Sequence, residues 1–236
     1  MEKGKIILIE GTDGSGKRTQ AKKLVERLNR ENFSSEMMSF PTYDTPTGRI
    51  VGQCYLGKKG LGEGDVAWFG KNPDMVEPEI ASLYYAANRR AEREKIKKII
   101  NSGTNLILDR YVESNMAHQG GKIENPQERM ELINMIDNLE YGLLKMPRPD
   151  LTIFLHMPTH VSMTLKIKQR IEQDADRDIH ESSGTHLIQA EKTYLEMEKR
   201  FKWTKIECVP DGLSIVSLRS IESIAEEIYG NVRRII

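Results

Sequence analysis

The sequence predicts an α/β protein: a parallel β-sheet of about five strands with helices on both faces. Three observations predict it. Short apolar runs alternate with longer segments of helical composition and spacing. The first run opens into a glycine-rich loop that leads directly into a helix-favouring stretch. The 236 residues hold no internal repeat and no linker-like segment, so one domain over 1–236 is expected.

The elements follow in order. Residues 5–10 form the first strand and end at the glycine-rich loop. Residues 17–30 form a helix with Ala21, Leu24, Val25 and Leu28 on one face. A second strand is expected at 37–40, closed by Pro41, and a third at 105–108, ending at Asp109. A fourth at 151–156 ends before Pro158, and a fifth is expected at 205–209. The intervening segments 77–101, 126–145, 160–171 and 185–199 are long enough for helices, and 221–232 is a last amphipathic one. Residues 57–64 read GKKGLGEG. No strand precedes them and no helix start follows, so they are expected to form a surface loop, not a second phosphate loop.

Composition excludes several classes. Thirty-five basic and thirty-five acidic residues cancel, which argues against a nucleic-acid binder and against a polybasic membrane anchor. The longest apolar run, 83–87, is five residues, far below the ~20 that a spanning helix needs. The apolar stretch 6–9 is stopped by Glu10, too short for a signal peptide. Two cysteines, Cys54 and Cys208, make neither a disulfide framework nor a metal cluster, so a reduced, cytoplasmic protein is expected.

The strongest chemical signal is Gly11-Thr12-Asp13-Gly14-Ser15-Gly16-Lys17. A loop of this spacing between a strand and a helix turns its N–H groups inward to cradle phosphates, and the helix N-terminus adds positive potential. Lys17 would reach the β- and γ-phosphates. The residue after the lysine is usually Ser or Thr, whose hydroxyl binds Mg²⁺; here it is Arg18. Thr19 follows, about 100° further round the helix, and cannot simply substitute. Two readings of Arg18 stay open: added charge near the phosphates, or a side chain turned to solvent.

Further segments converge on one family. Asp109-Arg110-Tyr111 runs into Glu113-Ser114-Asn115-Met116-Ala117-His118-Gln119-Gly120. Leu83-Tyr84-Tyr85-Ala86-Ala87-Asn88-Arg89-Arg90 stands before it, Phe40-Pro41 follows the second strand, and Arg148-Pro149-Asp150-Leu151 leads into the fourth. With the phosphate loop and Lys17-Arg18-Thr19-Gln20, the chain resembles the thymidylate kinase family of P-loop nucleoside monophosphate kinases. The resemblance covers most of the chain in order and is weak at 57–72 and 211–217, which look like insertions. It implies a doubly wound P-loop fold with a short mobile lid, here at about 168–183. It also implies transfer of the γ-phosphoryl group of ATP to dTMP with Mg²⁺, in a homodimer.

The same resemblance implies site residues. The ATP-binding loop comprises Gly11, Asp13, Gly14, Ser15, Gly16, Lys17, Arg18 and Thr19. Lys17 serves the donor phosphates, and Arg110 lies between donor and acceptor phosphates. Asp109 holds a Mg²⁺-bound water. Arg170 and Arg177 are the catalytic candidates of the lid, although a solvated charge run with Glu172, Asp174 and Asp176 reads equally well. On the acceptor side, Tyr85 stacks on the base and Arg89 donates to a base carbonyl; four residues apart, they share a helix face. Phe40 and Pro41 border the acceptor, Ser114 and Gln119 approach the base, Asp13 contacts the sugar 3′-OH, and Arg110 reaches the acceptor phosphate. Near Pro41, where family members commonly carry an arginine, this chain has Thr42, Tyr43 and Asp44, and its nearest arginine is Arg49. His118 stands where an aromatic often screens out a ribose 2′-OH. Gly14 stands where some members place a phosphate-contacting arginine; members with glycine there supply basic residues from the lid. Two other functions remain as alternatives: a related pyrimidine monophosphate kinase, and a non-catalytic nucleotide-binding regulator on the same fold.

Overall fold

The computed structural model describes residues 2–58, 75–173 and 184–236. Its strands are β1 (Ile6–Gly11), β2 (Ser35–Ser39), β3 (Asn105–Asp109), β4 (Leu151–His156) and β5 (Thr204–Glu207). They form one sheet in the order β2-β3-β1-β4-β5, with every pairing parallel. The α/β class and the count of five strands therefore stand. Register places Ser39 of β2 and Ile9 of β1 on either side of Asp109, so β2 and β3 end together while β1 runs two residues further, to Gly11. In sheets of this kind ligands bind beyond the carboxyl ends, where the strand order reverses.

The helices are α1 (Lys17–Arg30), α2 (Pro46–Arg49), α3 (Pro78–Asn101), α4 (Val112–Gly120), α5 (Pro126–Asp137), α6 (Thr159–Gln173), α7 (Gly184–Phe201) and α8 (Ile221–Val232). Successive residues of the central strand β1 point to opposite faces. Ile6 and Leu8 pack with Ile96 and Ile99 of α3, Met116 of α4, Ile133 of α5 and Tyr194 of α7. Ile7 and Ile9 pack with Leu24 and Leu28 of α1, Val161 of α6 and Ile228 of α8. A strand covered on both faces needs an unbroken apolar run, which is why β1 was readable. Among the described residues no helix is long and apolar enough to cross a membrane.

Several boundaries differ from expectation. β2 starts at Ser35, and β5 stops at Glu207, because edge strands end where their pairing with β3 and β4 ends. The segment expected as one helix over 126–145 is α5 followed by a π-helical turn, Asn138–Leu143. A second π-helical turn, Ile50–Tyr55, extends the short α2. Helix α4 was unforeseen: nearly every side chain in it is buried, so it shows no polar face and no amphipathic stripe. The 57–64 loop and the 168–183 lid fall largely outside the described residues.

Candidate active site

The phosphate loop leaves β1 at Gly11 and ends at Gly16, the left-handed N-cap of α1 (φ 82°). No side chain caps α1, so its first N–H groups face the loop and are available to an anion. A Cβ on Gly11 would lie 2.5 Å from the Leu155 carbonyl oxygen, so the loop can cross β4 this closely only with glycine there. Thr12 Oγ1 donates to the Met157 carbonyl (2.9 Å) and ties the loop to the end of β4. Lys17 is buried, and its Nζ donates to the carbonyls of Gly11 (2.9 Å) and Thr12 (2.7 Å). Burial, and then the nearby Arg110 guanidinium, lower its pKa to about 8.

Arg110 follows β3 in the left-handed backbone region (φ 66°), a sparsely populated conformation for a residue with a side chain. The turn aims its guanidinium at the phosphate loop. Nη2 donates to Asp13, and Nη1 donates to Ser114 Oγ (3.4 Å) and to His118 Nε2 (3.2 Å). Burial works against its charge, but Asp13, Tyr194, Glu10 and Asp109 outweigh it and raise its pKa above the ordinary value. Asp109 is buried, with Oδ2 accepting from Ser39 Oγ (3.2 Å).

Beneath this turn lies Glu10, fully buried in β1. Its Oε1 accepts the N–H groups of Tyr111 (2.9 Å) and Ser114 (3.1 Å), and its Oε2 accepts the hydroxyls of Ser114 (2.7 Å) and Tyr194 (2.8 Å). One carboxylate thus binds the start of α4 to the central strand. Hydrogen bonds to both oxygens offset the cost of burying them.

The residues expected on the acceptor side come from α3. Tyr85 is half-buried and meets Tyr55 edge-on, ring centres 5.6 Å apart. Arg89 is buried and forms a bidentate pair with the equally buried Glu140, from the π-helical turn after α5. Its Nη1 also donates to the Tyr111 carbonyl (3.3 Å), and Asn115 Nδ2 donates to Glu140 (3.2 Å). Burial opposes the Arg89 charge, and Glu140 more than restores it, raising its pKa. Asn88 accepts the Thr42 N–H (3.1 Å) and donates to Thr42 Oγ1 (2.8 Å), which clasps the chain after Pro41 to α3. Where that chain lacks an arginine, Lys58 Nζ stands 4.0 Å from the centre of the Tyr43 ring.

One cleft of about 270 Å³ gathers Asp13, Gly14, Gly16, Lys17, Arg18, Thr19, Asp109 and Arg110. Arg18 and Thr19 are exposed at its edge. Gly11 and Ser15 are buried in the floor of the loop. Phe40 is buried and packs against Tyr111, ring centres 5.7 Å apart, and Pro41 follows it through a cis peptide. Ser114 and His118 gather around Arg110, whereas Gln119 is buried with its Oε1 unpartnered among the described residues. The Arg170 side chain and all of Arg177 lie outside the described residues. Sequence reasoning missed Glu10 and Glu140. For Glu10 there was a signal, a carboxylate closing an otherwise apolar run; Glu140 acts through a long-range contact that no local pattern marks.

The model of a family described as thymidylate kinase matches residues 9–210. A thymidylate kinase of Plasmodium falciparum is 27% identical over 234 residues, covering 99% of this chain and 92% of its own length. One from Thermoanaerobacter sp. (strain X514) is 30% identical over 200 residues, covering 84% of this chain and 86% of its own. The structure of thymidylate kinase from Candida albicans superposes with a TM-score of 0.67 at 22% identity, covering 98% of this chain and 92% of that one.

Proposed function

The chain belongs to the thymidylate kinase family of nucleoside monophosphate kinases, and we propose that its site transfers the γ-phosphoryl group of ATP to dTMP, giving dTDP and ADP. The observation that carries this reading is the convergence of Lys17, Asp13 and Arg110 beyond β1 and β3, served by a helix that bears Tyr85 and Arg89.

The chemistry asks for position and charge more than for a base. A phosphate monoester has a second pKa of about 6, so the acceptor is already nucleophilic at neutral pH. The protein must bring two anions together and stabilise charge on the moving phosphoryl group. Lys17 serves the donor phosphates from the first turn of α1. Arg110 serves donor and acceptor phosphates, its guanidinium braced by Asp13, Ser114 and His118. Asp13 also takes the acceptor 3′-OH, and Arg170 and Arg177 add charge from the lid. Tyr85 stacks on thymine while Arg89, held by Glu140, directs its remaining N–H groups to the base. Gln119, with a buried amide oxygen unpartnered among the described residues, fits an N–H of the base. Phe40 and Pro41 form the wall behind the acceptor.

The donor set suits Mg²⁺. Asp109 offers a hard carboxylate oxygen steadied by Ser39, close enough to Lys17 and Arg110 to bias their ionisation. A single carboxylate suits Mg²⁺, which keeps several waters and is otherwise completed by phosphate oxygens. When bound, Mg²⁺ would neutralise charge on the donor phosphates, with Asp109 holding it through water. We read the chain as one kinase domain acting in the cytoplasm, a reading that the two free, buried cysteines support. Leu83 and Ile80, exposed on α3, supply an apolar surface for a homodimer.

The test is ADP release with ATP and Mg²⁺ against a panel of monophosphates. dTMP is expected to be the preferred acceptor, and thymidine is expected to give nothing above background. A preference for dUMP or for ribonucleotides would replace the substrate, and no acceptor-dependent release would favour a binding protein. Tyr85→Ala is expected to raise the dTMP KM by far more than the ATP KM, with a loss of about 1–3 kcal/mol, the scale of base–aromatic stacking. Equal changes for both substrates would instead identify Tyr85 as packing for Tyr55.

A further inference from the structure

His118 and His186 stand beside Arg110, and their hydrogen bonds have a fixed direction. A guanidinium donates and never accepts. Arg110 Nη1 is 3.2 Å from His118 Nε2, so that nitrogen must present its lone pair. The proton of the neutral ring therefore rests on Nδ1. His118 Nδ1 is 3.2 Å from His186 Nε2, which must accept in turn. The chain of donation runs from Arg110 to His118 and from His118 to His186.

The surroundings hold this arrangement. The two imidazoles are within 20° of parallel with centres 5.4 Å apart, and the Tyr194 ring meets His118 edge-on at 6.0 Å. The Tyr194 hydroxyl is committed to Glu10. Lys17 and Arg110 of the cleft and His186 of α7 oppose a positive charge on His118, and Asp13 favours it. Burial is the largest influence, and the pKa falls to about 3. His118 thus stays neutral across the working range, and its one free choice is which nitrogen carries the proton.

We propose that His186 is a positioning residue for phosphoryl transfer: by accepting the His118 Nδ1–H it fixes the tautomer whose Nε2 receives and aims the Arg110 guanidinium. With the other tautomer, Nε2–H would point at Arg110, donor against donor. The guanidinium would then turn from its place between Asp13 and Ser114. The proposal rests on the kinase reading above, and its test separates the two.

The test has a spectroscopic arm and a kinetic arm. Long-range ¹H–¹⁵N correlation of the imidazoles in the wild-type chain is expected to show His118 protonated at Nδ1 alone. His186→Phe keeps a flat ring but removes the acceptor. It is expected to admit the Nε2–H tautomer and to lower kcat roughly 10-fold or more, a misplacement effect, with the ATP KM unchanged. His186→Gln, which retains an acceptor oxygen, is expected to restore both the tautomer and most of kcat. A wild-type His118 protonated at Nε2 overturns the proposal without any variant. So does a kcat loss with the tautomer unchanged, or a tautomer change with kcat unchanged. An ordered Nδ1–H tautomer in a wild-type chain that phosphorylates no monophosphate would defeat the kinase reading, and with it the role in transfer.

Discussion

Arg110→Ala is expected to lower kcat with dTMP by roughly 10²–10⁴-fold, the scale for removing one transition-state charge contact. Lys17→Ala should fall in the same range, because the proposed reaction has each side chain serve the phosphates from a different element. The fold should survive both changes. Arg110 is bonded to Asp13, Ser114 and His118 at the rim of the cleft, while the start of α4 is held by Glu10 through the Tyr111 and Ser114 N–H groups. Removing the guanidinium leaves that anchor in place. Single-turnover kinetics alongside a melting curve decides the matter. Turnover within threefold of wild type in either variant would remove that residue from the mechanism.

Glu140→Ala is expected to destabilise the protein by about 3–5 kcal/mol, because it leaves the Arg89 charge buried and unpaired. Both members of this pair are almost wholly inaccessible, with side chains 2% and 0% exposed, so water cannot replace the lost carboxylate. The Asn115 amide loses an acceptor at the same time. Glu140→Gln, which keeps the shape and one acceptor oxygen, should be milder. On the role proposed for Arg89, both variants should also weaken dTMP binding more than ATP binding, since its orientation would be lost on the acceptor side alone. Urea unfolding at neutral pH gives the stability change. A loss below about 1 kcal/mol for Glu140→Ala would mean that Arg89 finds another partner or reaches solvent.

What was legible follows from the range of the forces involved. β1, the phosphate loop and α1 are local: an apolar run, glycines at turns and a helical stripe lie within 25 residues, from Ile6 to Arg30. β4 was readable for the same reason, bounded by Pro149 and Pro158. Tyr85 and Arg89 were legible as a pair on one helix face, but the partner that holds Arg89 is 51 residues away in a π-helical turn. Glu10 reads as the polar end of a strand, and only the folded chain shows four donors converging on it. Helix α4 was hidden because burial on all sides erases the periodic signal that exposes a helix to sequence reading.

The left-handed backbone at Arg110 has a consequence for how this protein can change. A side-chain-bearing residue held in that region costs about 1–3 kcal/mol, and glycine or asparagine would recover part of it. Stability and activity therefore pull in opposite directions at a single codon. A population screened only for resistance to heat would drift toward glycine or asparagine at 110, gaining robustness while losing the guanidinium proposed to serve the phosphates. Hardening this enzyme without disarming it means gaining stability elsewhere, as on the exposed face of α8, and leaving the unfavourable conformation in place.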